Sequence, residues 1–284
     1  MIFAMKYIPI KSITFSILAL LLSIGCSIAQ ETVNITNDPV GSAANCQGKN
    51  LIINCFISEK GESWTPEEKD AIITKENTGF EWIKKQARNW NVPPITFQQV
   101  SIGYDKDITV EKIVRGHEIP QLKRLKVHWA TYALNAAGYN NVYHFYDSLK
   151  KLYQVDNVAI LVFANKEGRS YAQPTTITEI GYNKDWFLEG AVLYKHFFDS
   201  EAALSPATMM HNLLVLYGAW EIDRDENRSN EAENLISGGL RHSIVLEDRY
   251  GAINVYSIDQ LTAWRIGWIK SYFPWYEMFR NKIP

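Results

Sequence analysis

Residues Ser205 to Ile222 read SPATMMHNLLVLYGAWEI. Ser205 followed by Pro206 is a helix start. The serine oxygen can accept an orphan first-turn amide, and proline has the right φ and no N–H to waste. Met210, Leu213, Leu214 and Tyr217 then recur at i, i+3, i+4 and i+7, which makes one apolar helix face. Gly218-Ala219 stops the helix where the chain must turn. Taken alone, this is an ordinary buried helix carrying one packed histidine, His211.

Working outward, Val158 to Ala164 (VAILVFA) is an unbroken apolar run rich in β-branched residues, the composition of a central strand covered on both faces. Asn165 to Ala172 (NKEGRSYA) is a polar turn leaving it. Trp186 to Phe198 reads as another strand, at the sheet edge near a cleft. Upstream, Thr65-Pro66-Glu67-Glu68 combines an N-cap, a first-turn proline and a capping-box glutamate. The helix it starts should run to about Trp90, with a break at Gly79, and present Phe80, Ile83, Ala87 and Trp90 on one side. Pro93-Pro94 ends it.

Ile95 to Gly103 alternates as a strand. Leu122–Ala137 and the stretch around Val142, Phe145, Tyr146, Leu149 and Leu152 read as helices. The segment 105–120 carries no clear signal. Downstream, 223–234 is a charged surface loop, Ser257–Ile269 a last helix, and an aromatic tail follows. The alternation predicts a single α/β domain over 61–284, its sheet on one side and the His211 helix crossing beneath. There is no internal repeat.

Residues 1–29 read as a signal peptide, with Lys6 and Lys11 ahead of the apolar core Ile13–Ile24. Ser27-Ile28-Ala29 fits cleavage before Gln30, giving a soluble secreted chain. Leu22 to Cys26 fits a lipobox instead, which would leave Cys26 lipid-anchored at the cell surface. Without Lys6 and Lys11, 27 basic residues face 31 acidic ones, a net charge of −4. No basic stripe suggests a nucleic-acid partner. The only membrane attachment implied is the Cys26 lipid. Residues 30–60 read as an extended N-terminal arm. Cys46 and Cys55 are expected to form a small disulfide loop there, as an oxidising compartment favours.

Three segments together resemble secreted bacterial zincin-like proteins of metzincin type. They are Phe163 to Ala172, His211 to Glu221, and Ile258 to Trp268 (IDQLTAWRIGW), in the expected order. The resemblance implies a metzincin-like zincin domain with a twisted mixed sheet packed on the motif helix. It aligns HExxHxxGAx(H/D) with His211, Asn212, Val215, Gly218, Ala219 and Glu221. It also places Asn234-Leu235-Ile236-Ser237 where such proteins carry a turn beneath the metal.

A zinc peptidase needs three ligands and a base. Asn212 stands at the general-base position, and an amide takes no proton near neutral pH. Val215 stands at the second-ligand position and has no lone pair. If any metal binds, the zinc implied by the family would be held by His211 and Glu221, and a third ligand would have to come from His196, His242 or His144. Gly218, Ala219 and Trp220 would shape the cleft.

The resemblance thus implies a pseudo-protease with no cofactor, binding a peptide or protein segment in the former cleft. Two other readings stay open. One is a divergent metallohydrolase using His211, Glu221 and an outside histidine. The other is a carbohydrate-associated surface protein using exposed tryptophans. No nucleophile elbow, P-loop or dinucleotide glycine pattern is present.

Overall fold

The sheet is organised around β1 (Lys49–Glu59) and β4 (Asn157–Glu167), which lie parallel and adjacent. β2 (Thr96–Ile102) pairs parallel with β1 on its other side, and β3 (Ile108–Val110) pairs with the end of β1. β6 (Gly190–His196) runs parallel to β4, and the three-residue β5 (Tyr171–Gln173) runs antiparallel to β6. The order is therefore β2-β1-β4-β6-β5. The computed structural model describes residues 41–113, 127–175, 184–198, 202–220, 222, 229–246 and 251–279, all within the unit Asp38–Pro284. The leader, Cys26 and Glu221 lie outside the described residues.

Both faces of the sheet are covered, so the expectation of helices on one side is corrected. Ile52, Phe56, Leu161, Phe163 and Leu193 face α1 (Pro66–Asn89), α4 (Pro206–Leu216) and the C-terminal segment. Leu51, Ile53, Ile57, Ile160 and Val162 face α2 (Trp129–Ala136) and α3 (Val142–Tyr153). Parallel strands need long crossovers, and crossovers on both faces bury the inner strands β1 and β4 almost throughout. Among the described residues no helix is long and apolar enough to cross a membrane.

Local signals set the helix starts. Thr65 and Glu68 form the reciprocal capping box, with Pro66 in the first turn. α1 runs unbroken through Gly79, contrary to the expected break. A Cβ at Gly79 would lie 2.6 Å from the Met210 side chain, so the glycine serves close approach of α1 to α4 and not a kink.

Three further expectations change. First, residues 49–59 are not an arm but the central strand β1, with all but its two ends buried. The signal was the run 51–57, interrupted only by Asn54. Second, Trp186–Phe198 is a short 3₁₀ turn (Lys184–Phe187) followed by β6, which sits inside the sheet between β4 and β5. Third, Cys46 and Cys55 form no disulfide; both are free and buried.

Cys55 faces the α2/α3 layer and Cys46 packs in the opposite one. The sheet itself separates them: strand alternation turns Cys55 to one face of β1, and Cys46, ahead of the strand, packs in the layer on the other. The Cys46 backbone is fixed there, its N–H on Ile266 O at 3.2 Å and its carbonyl accepting from Trp268 Nε1 at 2.7 Å. Burial pushes the Cys55 thiol up to about 12 and Cys46 higher still. Alkylation mapped by mass spectrometry should leave both unmodified in the native protein and modify both in denaturant without reductant. Recovery of a peptide crosslinked between 46 and 55 would overturn this.

Two buried polar contacts tie α1 to the sheet. Glu76 accepts hydrogen bonds from Asn54 Nδ2 and Gln99 Nε2, each at 2.6 Å. Burial drives its carboxyl up to about 7, against the pull of those two donors. Lys69 forms an ion pair with Asp107 at 2.6 Å and donates to the carbonyls of Gly103 and Tyr104 at 2.8 and 2.6 Å.

Candidate functional site

α4 begins where its serine predicts: Ser205 Oγ accepts the amide of Thr208 at 3.1 Å. Every residue from Ala207 to Leu216 is buried. The helix is covered on all sides, so amphipathic spacing understated its burial. His211 is only 6% exposed, and its Nδ1 lies 2.8 Å from the carbonyl oxygen of Ile244. A carbonyl only accepts, so Nδ1 carries the proton. In the neutral ring the lone pair is then on Nε2.

Asn212 Nδ2 donates to Thr208 O at 2.9 Å, one turn back on the same helix. That amide is part of the helix's own bonding. Val215, also 6% exposed, presents hydrocarbon.

The helix ends in a Schellman turn. Gly218 N–H bonds Val215 O at 3.1 Å and Ala219 N–H bonds Leu214 O at 2.9 Å, with Gly218 at φ +96°. That pattern needs a residue that tolerates positive φ, which is why glycine stands there. Ala219 is fully buried and Trp220 partly so.

Arg265, in α6 (Gln260–Arg265), donates to Trp220 O at 2.8 Å and also to Phe279 O. The guanidinium thus fastens the Gly-Ala-Trp turn to the closing helix and the aromatic tail. Two of the three segments singled out in the sequence are in this way brought together. Arg265 itself was missed; a lone arginine within the apolar run LTAWRIGW was the available signal.

The backbone that meets the His211 ring belongs to the segment Ser243–Leu246. Ser243 bridges to Ser257 and Ile244 N–H bonds Ser257 O at 3.0 Å. Asn234 lies in α5 (Asn230–Leu235), and Ile236 begins a wide π-type turn. Carbonyl partners carry no side-chain signature, so sequence reading had no means to find Ile244.

The outside histidines do not complete a ligand set. His144 is exposed in the first turn of α3. His242 is exposed and bonded to Arg241 Nε at 3.0 Å. His196 lies at the end of β6, among charged residues of β4 and the β1–α1 turn. Among the described residues no three His, Cys, Asp or Glu side chains are grouped to hold a metal. The donor set on α4 is His211 alone, with Glu221 outside the described residues, and that does not fit a three-ligand zinc site.

No protein-family model matches the chain, and no curated protein is similar to it in sequence.

Proposed function

We propose that this is an exported, zincin-like protein of metzincin type that has lost its catalytic apparatus and binds an extended peptide or protein segment without cutting it. The observation that carries this reading is the state of the two catalytic positions. The Asn212 amide is turned back onto Thr208 O, and Val215 offers no lone pair. What the zincin pattern keeps is shape: a sheet packed on the motif helix, and a glycine turn tied down by Arg265.

Binding by strand addition suits the sheet's end. β5 is its terminal strand beyond β6, short and only partly buried. Gln173 anchors it, its side chain accepting from Trp129 N and donating to Val127 O, both at 2.8 Å. An anchored edge strand can template an added chain through its outward backbone groups.

The test combines metal content with proteolysis. Purified full chain should hold well under about one zinc per chain and should not cleave unfolded casein. The double variant Asn212→Glu with Val215→His should gain zinc, because it supplies a second ligand one turn from His211. Near-stoichiometric zinc together with chelator-sensitive cleavage by the parent protein would sink the proposal.

A further inference from the structure

We propose that the outer edge of β2 pairs with the same edge of a second copy of this chain, so that two sheets join antiparallel across a two-fold axis at Gln99. β2 is the terminal strand of the sheet, and among the described residues its one neighbour is β1. Thr96 N–H bonds Gly48 O at 2.9 Å, so Thr96 turns its backbone groups to β1. In a parallel pair that role recurs at every second residue, which gives it to Gln98, Val100 and Ile102 as well. The N–H and carbonyl of Phe97, Gln99 and Ser101 therefore point away from the sheet. Among the described residues nothing bonds these backbone groups.

Edge strands usually carry protection against such pairing: a short length, a lysine, a proline or a bulge. β5, at the other end of the sheet, is three residues long. β2 spans seven residues, reads TFQQVSI and runs in unbroken register against β1. It carries no charge, no proline and no glycine. Phe97, Val100 and Ile102 are left partly exposed, whereas Ile53 and Cys55, beside Val100 and Ile102 on β1, are fully buried. The Gln99 side chain is bonded inward to buried Glu76, which leaves its backbone open to a second chain.

The strand's own sequence selects a second copy as the occupant. An antiparallel pair sets outward residues opposite outward residues, and the register centred on Gln99 uses Phe97, Gln99 and Ser101 of both chains. Gln99 then faces its own counterpart, Phe97 faces the counterpart of Ser101, Gln98 that of Val100, and Thr96 that of Ile102. A strand that meets itself brings any charge close to its own like charge, which destabilises the pair. Here every opposed pair is uncharged, and the Gln98–Val100 and Thr96–Ile102 pairs cover the partly exposed apolar side chains. A two-fold contact of this kind closes as a dimer and does not grow into a fibre. The surface lies at the opposite end of the sheet from β5 and includes no residue from 205 to 222. It can fail or hold independently of the peptide-binding reading.

Sedimentation velocity of the full chain should show a dimer that dissociates on dilution, with a Kd of about 10 µM or tighter. Ser101→Pro should weaken it about tenfold or more, because the ring fills the edge and removes an outward N–H while every bond to β1 remains. Ser101→Ala, which leaves the backbone unchanged, should dimerise like the parent. Native-state hydrogen exchange gives a second readout. The amides of Phe97, Gln99 and Ser101 should be protected in the dimer and exchange about tenfold faster or more on dilution below the Kd. A parent that stays monomeric at about 100 µM would overturn the proposal. So would a dimer whose exchange at these amides does not respond to dilution. An unrelated extended peptide that adds to the β2 edge of a monomeric parent would overturn the second-copy assignment. The parent measurements decide this even if the proline variant fails to fold.

Discussion

Glu76→Gln should make the protein more stable at pH 8, by up to about 3 kcal/mol, and the gain should vanish below pH 4.5. Glu76 is fully buried between α1 and the sheet. Burial lifts its carboxyl from an ordinary value of 4.5 to about 7, although the amides of Asn54 and Gln99 favour the charged form. The folded state therefore holds this proton more tightly than the unfolded chain does. A raised carboxyl contributes stability that is fully present below 4.5 and is lost as pH rises through 7.

Glutamine keeps an oxygen for the two amide donors and removes the charge that burial penalises. Two oxygens of the cluster, Asn54 Oδ1 and Glu76 Oε1, have no partner. A protonated Oε1, or the NH₂ of glutamine, is a donor where the carboxylate has only an acceptor. Urea denaturation of parent and variant at pH 8 and pH 5 checks this, since other titrating groups cancel in the difference. A variant that is less stable by the same amount at both values would refute it.

Lys69→Met should destabilise the protein by about 3–5 kcal/mol, the usual cost of breaking a buried ion pair from one side. The side chains of Lys69 and Asp107 are 3% and 8% exposed. Methionine keeps the apolar stem but strands the Asp107 carboxylate and the carbonyls of Gly103 and Tyr104. Among the described residues Asp107 would retain only the amide of Trp64, at 2.8 Å. The ammonium also sits 5.6 Å from the ring centre of Phe56, so a favourable ring contact disappears with it. Adding Asp107→Asn should recover part of the loss by removing the stranded charge. Denaturant midpoints of the single and double variants test both statements. A single-variant loss below about 1 kcal/mol would mean that the pair behaves like an exposed one.

Much of the candidate site was legible because its signals are local. The Ser205-Pro206 start, the Gly218 turn and the identities of Asn212 and Val215 are readable from a few adjacent residues. Reading why Asn212 is there was not. Its bond to Thr208 O depends on a side-chain rotamer within a helix buried on all sides, and the helix spacing suggested one exposed face. The Ile244 carbonyl at the His211 ring was likewise invisible, since any residue supplies a carbonyl. The charged residues gathered around His196 come from strand ends that lie far apart in the chain.

The sequence by itself determined the α/β class, the capped starts of α1 and α4, the central strand at Val158–Ala164 and the side-chain chemistry of Asn212 and Val215 on the His211 helix. Each follows from forces acting over a few residues: amide capping, fixed φ at proline, apolar periodicity and the chemistry of a side chain. Only the tertiary structure decided that Lys49–Glu59 is the sheet's centre, that helices cover both faces, and that Cys46 and Cys55 stand on opposite sides of it. Strand order and facing depend on which distant segments pair, and desolvation is set by everything packed around a group. No local pattern encodes those quantities, which is also why Glu76, an unremarked residue in a helix, became a buried carboxyl pushed up to about 7.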